Sequence, residues 1–333
     1  MILTRRSARP GRAAAVVVAS VTACVLAAML SAQGPPPAAT PQQGQAPAPS
    51  GQAGAFRSGI ELVSLDVTVT DGAGRYVTDL NQADFSVFED GVKQDIAFFT
   101  RTSLPLSLSL LVDSSTSMDE KMDTVRKAAG GFVARLRPED RTQIVAFDSK
   151  VNVLVPFTSL HADLDRAIAS LSARSSTALF NAVYIALKEL KKSKAEKPDD
   201  LRREAIILLT DGQDTSSLLS FEEVLEQTKR SETAIYAIGL RAEDSDIGKG
   251  YSDAEFVLRQ LTNQSGGRVF FPKAVAELAG IYDQIWQELS SQYLVAYSSR
   301  NPVRNGLWRR VSVRTDRPDT VSRTRLGYYA PSR

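Results

Sequence analysis

Asp113, Ser115 and Ser117 stand at alternate positions of the run Leu111-Val112-Asp113-Ser114-Ser115-Thr116-Ser117-Met118. The alternation points one carboxylate and two hydroxyls the same way, while Ser114 and Thr116 point elsewhere. Two distant segments offer oxygen of the same kind. They are Thr177, in Ser175-Ser176-Thr177-Ala178-Leu179, and Asp211, in Leu208-Leu209-Thr210-Asp211-Gly212. All five are hard oxygen ligands. With water they make an octahedral site suited to a divalent cation, Mg²⁺ first and Mn²⁺ or Ca²⁺ next, and unsuited to Zn²⁺ or Cu²⁺. Two carboxylates and three hydroxyls leave such an ion only just neutralised, so an external carboxylate from a partner can complete its shell. A purely structural Ca²⁺ site encloses the ion with more carboxylates and carbonyls. Ser and Thr at a strand–helix junction also serve as N-caps, and Asp-Gly as a turn. That plainer account explains each segment alone better than the three together.

The elements that must position these residues are legible in the periodicity. Leu106 to Val112 is a continuous apolar run, as in a parallel strand buried on both faces. Met118 to Leu136 has helical spacing, with Met122, Val125, Ala129, Phe132 and Leu136 on one side. Strands follow at Gln143–Phe147 and Val151–Phe157, both read as buried, then at Ala205–Leu209, Ala234–Ile238 and Val269–Phe271. Helices fall at Leu164–Leu171, Leu179–Leu190, Phe221–Arg230, Ala254–Leu261 and Ala274–Leu289. Alternating strands and helices predict an α/β, Rossmann-like, mostly parallel sheet with helices on both faces. In such sheets ligands bind at the carboxyl ends of the strands, where Asp113 and Asp211 fall.

The flanks have β character. Val63, Leu65, Val67 and Val69 alternate with polar residues. Phe85 and Val87 begin a second strand, Asp90-Gly91 makes a hairpin turn, and Ile96 to Phe99 follow as its second arm. Tyr293–Tyr297, Trp308–Val313 and Val321–Tyr328 read as strands near the C-terminus. Neither flank alone closes a core. The expectation is a small β-sandwich formed from N- and C-terminal strands, with the α/β domain inserted in it.

Asp113-x-Ser115-x-Ser117, then Thr177 in its S-T-A-L loop, then Asp211-Gly212 after an apolar strand resemble the metal-ion-dependent adhesion site of von Willebrand factor A domains. The resemblance covers about Leu104 to Leu289, with all three elements in order. It implies an ion at the sheet's top edge and partner binding through an acidic residue. Val67-Thr68-Val69-Thr70-Asp71, Asp84 to Gly91 and Gly327-Tyr328-Tyr329-Ala330 are similar to the exported "VWFA-related" proteins of acidobacteria and similar bacteria. One departure is Ser175-Ser176, where family members often carry Gly before the loop Thr. The expected organisation is 1–32 signal peptide or anchor, 33–57 linker, 58–103 N-terminal β segment, 104–290 A-type domain, and 291–333 C-terminal β segment pairing with 58–103.

Enzyme chemistry finds little support, and none is expected. His161 is the only His. There is no G-x-S-x-G elbow, no G-x-x-x-x-G-K-[ST] phosphate loop and no G-x-G-x-x-G fingerprint. A metal-dependent hydrolase would need a general base beside the ion, and none stands out. Asp148 and Asp214 fall near the same rim, as turn residues or outer partners of the site. The alternative to metal-dependent binding is a structural or assembly module of the envelope. The formal net charge of +2 argues against nucleic acid. The arginines from Arg300 to Arg325 alternate with apolar residues and read as a solvated sheet face.

The N-terminus reads as an export signal: Arg5, Arg6, Arg9 and Arg12, then an apolar stretch from Ala13 to about Leu30, then Ser31-Ala32 before Gln33. The stretch is near the roughly 20 residues that span a bilayer, so an uncleaved anchor is the alternative. Val21-Thr22-Ala23-Cys24 offers a third outcome, lipidation. Cys24 is the only Cys, so the mature part has no intramolecular disulfide. Gly34 to about Arg57, rich in Pro, Ala, Gln and Gly, reads as a tether. The expectation is an exported protein, periplasmic, cell-surface or secreted. Membrane association would come only through the N-terminal segment, and the partner would be a protein.

Overall fold

The computed structural model describes residues 62–101, 104–196, 200–211, 213–240 and 253–332. The signal, anchor, lipidation and tether expectations lie outside the described residues. Chain contacts set 1–57 apart from the unit formed by 58–333, and the architecture below belongs to the second.

The chain enters through β1 (Leu62–Asp71), whose Val63, Leu65, Val67 and Val69 are buried as the alternation requires. It continues through β2 (Phe85–Glu89), β3 (Val92–Gln94) and β4 (Ile96–Arg101). Asp90 and Gly91 both adopt left-handed backbone, φ 47° and 83°, which suits a two-residue hairpin turn. The hairpin's second arm is β3, which pairs Val92, Lys93 and Gln94 with β2. The expectation of Ile96–Phe99 in that role is corrected. Gln94 is buried and its side-chain oxygen accepts from Arg300 N at 3.0 Å. After Asp95 the chain crosses to the other sheet, where Ile96 and Phe99 pack on the sandwich core.

The α/β layer follows as β5 (Leu106–Asp113), α1 (Met122–Val133), β6 (Arg141–Phe147), β7 (Val151–Thr158), α2 (His161–Ala169), α3 (Leu179–Glu196), β8 (Arg203–Thr210), α4 (Phe221–Arg230), β9 (Ala234–Gly239), α5 (Asp253–Ser265), β10 (Val269–Phe270) and α6 (Leu278–Ser291). The sheet order is β10-β9-β8-β5-β6-β7, parallel except for β6–β7. Every residue of β5 is buried. Leu108, Leu110 and Val112 face a core shared with α1, α2 and α6, while Leu111 faces one shared with α3, α4 and α5. The reading of Val151–Phe157 as a buried strand is corrected. A three-residue turn can only fold β7 back antiparallel on β6, so it forms the sheet edge and leaves Asn152, Val153 and Leu154 exposed.

The chain returns through β11 (Tyr293–Ser298), β12 (Trp308–Thr315), β13 (Thr320–Arg323) and β14 (Gly327–Tyr329). Two four-stranded antiparallel sheets result, β13-β1-β11-β4 and β14-β12-β2-β3, each mixing both flanks. Leu65 pairs with Val295, and Val87 with Val313. Their inner faces meet in one core with Leu80, Phe85 and Tyr293. The fold is thus α/β, a mostly parallel sheet with helices on both faces, flanked by a β-sandwich of N- and C-terminal strands. The single strand expected over Val321–Tyr328 is two strands in different sheets. Thr324 to Leu326 make the switch, and Gly327 permits close approach to β12: a Cβ there would lie 2.2 Å from Arg309 O. The arginines also divide. Arg310 and Arg314 are solvated, whereas Arg309 is buried, donating to Glu89 at 3.2 Å. Glu89 also accepts from Tyr297, Ser299 and Tyr328.

Among the described residues no helix is long and apolar enough to cross a membrane.

Candidate metal centre

β5 ends in Asp113, which is wholly buried. Its Oδ1 accepts from Ser115 N at 2.8 Å, and its Oδ2 from the Thr210 hydroxyl at 2.5 Å. The chain then turns into a short 3-10 helix, Thr116–Lys121, before α1. Ser115 occupies the N-cap position of that turn, yet its side chain makes no capping bond. Its hydroxyl instead lies 3.1 Å from that of Ser117, and Ser117 Oγ donates to Asp211 Oδ1 at 2.8 Å. The plainer account of these serines as helix caps therefore fails at the atom it needs. Four of the five expected residues are linked in a row: Asp113 to Ser115 through the Ser115 backbone N–H, and Ser115, Ser117 and Asp211 through their side chains.

Thr177 reaches the same edge through the main chain. Ser175 O accepts from Thr116 N and Oγ1, both at 3.0 Å, and Arg174 N donates to Ser114 O at 2.6 Å. Thr177 O accepts from Thr215 N and Ser216 N, at 2.9 and 3.1 Å, in the segment that follows Asp211. Thr177 itself is 5% exposed. Its loop is thus clamped between the other two. Ser175 takes the left-handed conformation, φ 53°, at the place where glycine fits most easily. Asp148 serves a turn, accepting from Lys150 N, whereas Asp214 accepts from Ser217 and, across to the first turn of α3, from Phe180 N.

Two participants were not anticipated. Thr210 orients Asp113, as above. Lys121 donates to Ser117 O at 3.0 Å and forms an ion pair with Asp211 Oδ2. Its signal in the sequence is a lysine four residues after Ser117, one turn onward.

The donor set fits a hard divalent cation. Burial pushes the Asp113 carboxyl up, the neighbouring Asp211 charge pushes the same way, and only hydrogen bonds from Ser115 and Thr210 oppose them. A buried carboxylate facing another carboxylate gains most from a cation between them. Each carboxylate oxygen has lone pairs beyond those its hydrogen bonds use.

The chain is similar to several known proteins. An uncharacterized protein of Synechocystis sp. is 34% identical over 113 residues, which is 33% of this chain; the chain spans 26% of that relative's length. A von Willebrand factor type A protein from Catenulispora acidiphila is similar at a TM-score of 0.48 and 14% identity, over 75% of this chain and 74% of that one. Proximal thread matrix protein 1 from the mussel byssus, with a zinc-occupied MIDAS motif, is similar at 0.45 and 18%, over 61% of this chain and 50% of that one. The family model for the von Willebrand factor type A domain matches residues 108–284. That span is just over half the chain, runs from β5 into α6 and contains all three loops of the site, so the chain belongs to the von Willebrand factor type A domain family.

Proposed function

We propose that this chain is an exported, non-catalytic, protein-binding module that works through one divalent cation. Asp113, Ser115, Ser117, Thr177 and Asp211 would hold the ion, Mg²⁺ first and Mn²⁺ or Ca²⁺ next. The observation that carries the reading is the hydrogen-bonded row from Asp113 through Ser115 and Ser117 to Asp211, which brings two hydroxyls and only two carboxylates together. A bound divalent ion would supply an electrophilic point for an acidic side chain of a partner. The protein's part is to present that point on a rigid edge: the main-chain bonds among the three loops would hold the ligands in place before any partner arrives. Export rests on the basic and apolar N-terminus.

Calorimetric titration with Mg²⁺, Mn²⁺ and Zn²⁺ tests the site. The expected outcome is one ion per chain, a preference for the harder ions, and loss of binding in Asp113→Ala. Equal binding by the variant would refute the assignment. Affinity capture from envelope extracts in Mg²⁺, eluted with EDTA, then tests the role.

A second reading has one observation in its favour. The Lys121 ammonium already meets Asp211 and Ser117 O, as in a structural module of the envelope satisfied without an ion. Partners retained equally with and without EDTA would select it.

A further inference from the structure

The face of β1 turned away from the sandwich core carries Ser64 and Asp66, and that of β11 carries Leu294 and Ala296. In a free-standing sandwich this face would meet water. Here it lies over the amino-terminal edge of the parallel sheet, where Ser107, Arg203 and Ala234 begin β5, β8 and β9. The two layers do not fill the space between them. A cavity of about 440 Å³ remains, at the end of the strands opposite Asp113 and Asp211. The space opens to solvent where Leu62, Phe98 and Leu201 are exposed, and its volume falls in the range of small-molecule sites.

Its walls contain buried polar atoms left without work. Asp66 Oδ1, Arg203 Nε, Thr324 Oγ1 and Arg325 Nε all line it, and none has a hydrogen-bond partner among the described residues. Arg203 is 7% exposed. Its Nη1 is committed to Leu289 O and Gln292 Oε1, and Arg325 Nη2 to Ser64 O, so the two Nε–H groups are surplus donors. Burial pushes the Asp66 carboxyl up against the pull of both guanidiniums. A buried donor left unpaired is destabilising, so the two Nε–H groups in one cavity call for an acceptor. Among the other charged residues of the wall, Lys194 pairs with Glu232 and Arg202 with Asp200, and Glu204 accepts from the Thr233 hydroxyl. The remaining surface is largely apolar, from Phe98, Leu201, Leu294 and Ala296.

We propose that this cavity binds a small amphipathic carboxylic acid. Its carboxylate is taken by the Nε–H groups of Arg203 and Arg325 and the Thr324 hydroxyl, and its apolar body lies on Phe98, Leu294 and Ala296. The site is separate from the metal centre and does not rest on it.

Octanoate is the probe, with octan-1-ol as its neutral counterpart, titrated into the full chain by calorimetry. The expected result is one octanoate per chain, unchanged by EDTA, and octanol weaker by about tenfold or more, as befits loss of a charged hydrogen bond. Ala296→Phe narrows the cavity and should abolish binding. Arg325→Gln should weaken it about tenfold. No saturable binding means that water alone fills the cavity. Equal affinity for octanol, or unchanged binding in Ala296→Phe, likewise overturns the proposal. The octanoate–octanol pair on the unmodified chain decides the point without any variant.

Discussion

Lys121 is a cation on a flexible stem, bonded to a carboxylate that the proposed ion would also use. Lys121→Met keeps the stem and removes the charge. If the ammonium must leave before an ion enters, Mg²⁺ affinity rises about tenfold, equivalent to one charge-assisted bond of about 1.5 kcal/mol. Calorimetry reads this directly, and unchanged or weaker binding would show that Lys121 does not compete. Ser175 makes a second residue-scale test. A non-glycine residue in left-handed backbone costs about 1–2 kcal/mol. Ser175→Gly removes that cost but returns part of it as unfolded-chain entropy. A net gain of about 0.5 kcal/mol is expected, seen as a small rise in melting temperature with metal binding retained; a fall would mean the strain is absent. The five oxygen residues were legible because their spacing within each segment and the order of the segments both carried information. Thr210 and Lys121 were not. Strict alternation turns Thr210 away from Asp211, and nothing in a lone lysine says which carboxylate its stem will reach.

At the scale of elements, apolar periodicity located the buried strands and long helices, since burial on one face or two writes itself into the sequence. It failed where neighbours decide. Val151–Phe157 reads as apolar as a central strand, but its place at the edge is set by the short turn before it. Val321–Tyr328 reads as one strand, but its halves serve two sheets because Gly327 lets β14 close on Arg309. Gly267 shows how tight such approaches are. A Cβ there would lie 1.9 Å from Ile235 O, a main-chain atom of β9, which is held in the sheet by its pairing with β8. Gly267→Ala is therefore expected to cost about 3 kcal/mol, at the upper end of overpacking, read as a lower denaturation midpoint. A cost below about 1 kcal/mol would mean that β9 and the segment before β10 are not held this closely.

At the scale of the molecule, the A-type domain leaves the sandwich after β4 and returns at β11, and Arg101 pairs with Tyr293 across those two strands. The ends of the inserted part are one strand spacing apart, the geometry that makes insertions tolerable. Residues 104–290 produced alone should fold and bind Mg²⁺ with the affinity of the whole chain. Residues 58–103 joined to 291–333 by a short Gly-Ser linker should form the sandwich by themselves. Circular dichroism and calorimetry check both halves; an unfolded 104–290 fragment would show that the sandwich is needed to build the site.

The same pairing has a temporal side. The sandwich must bring together strands separated by about 190 residues, and closing a flexible loop of that length costs about 4–5 kcal/mol. A finished A-type domain removes that cost, because it already holds its two ends side by side. Folding should therefore run from the inside outward. For a chain that emerges N-terminus first, β1 to β4 come out early and wait, with unpaired edges of the kind that recruit other strands, until the last segment arrives to cover them.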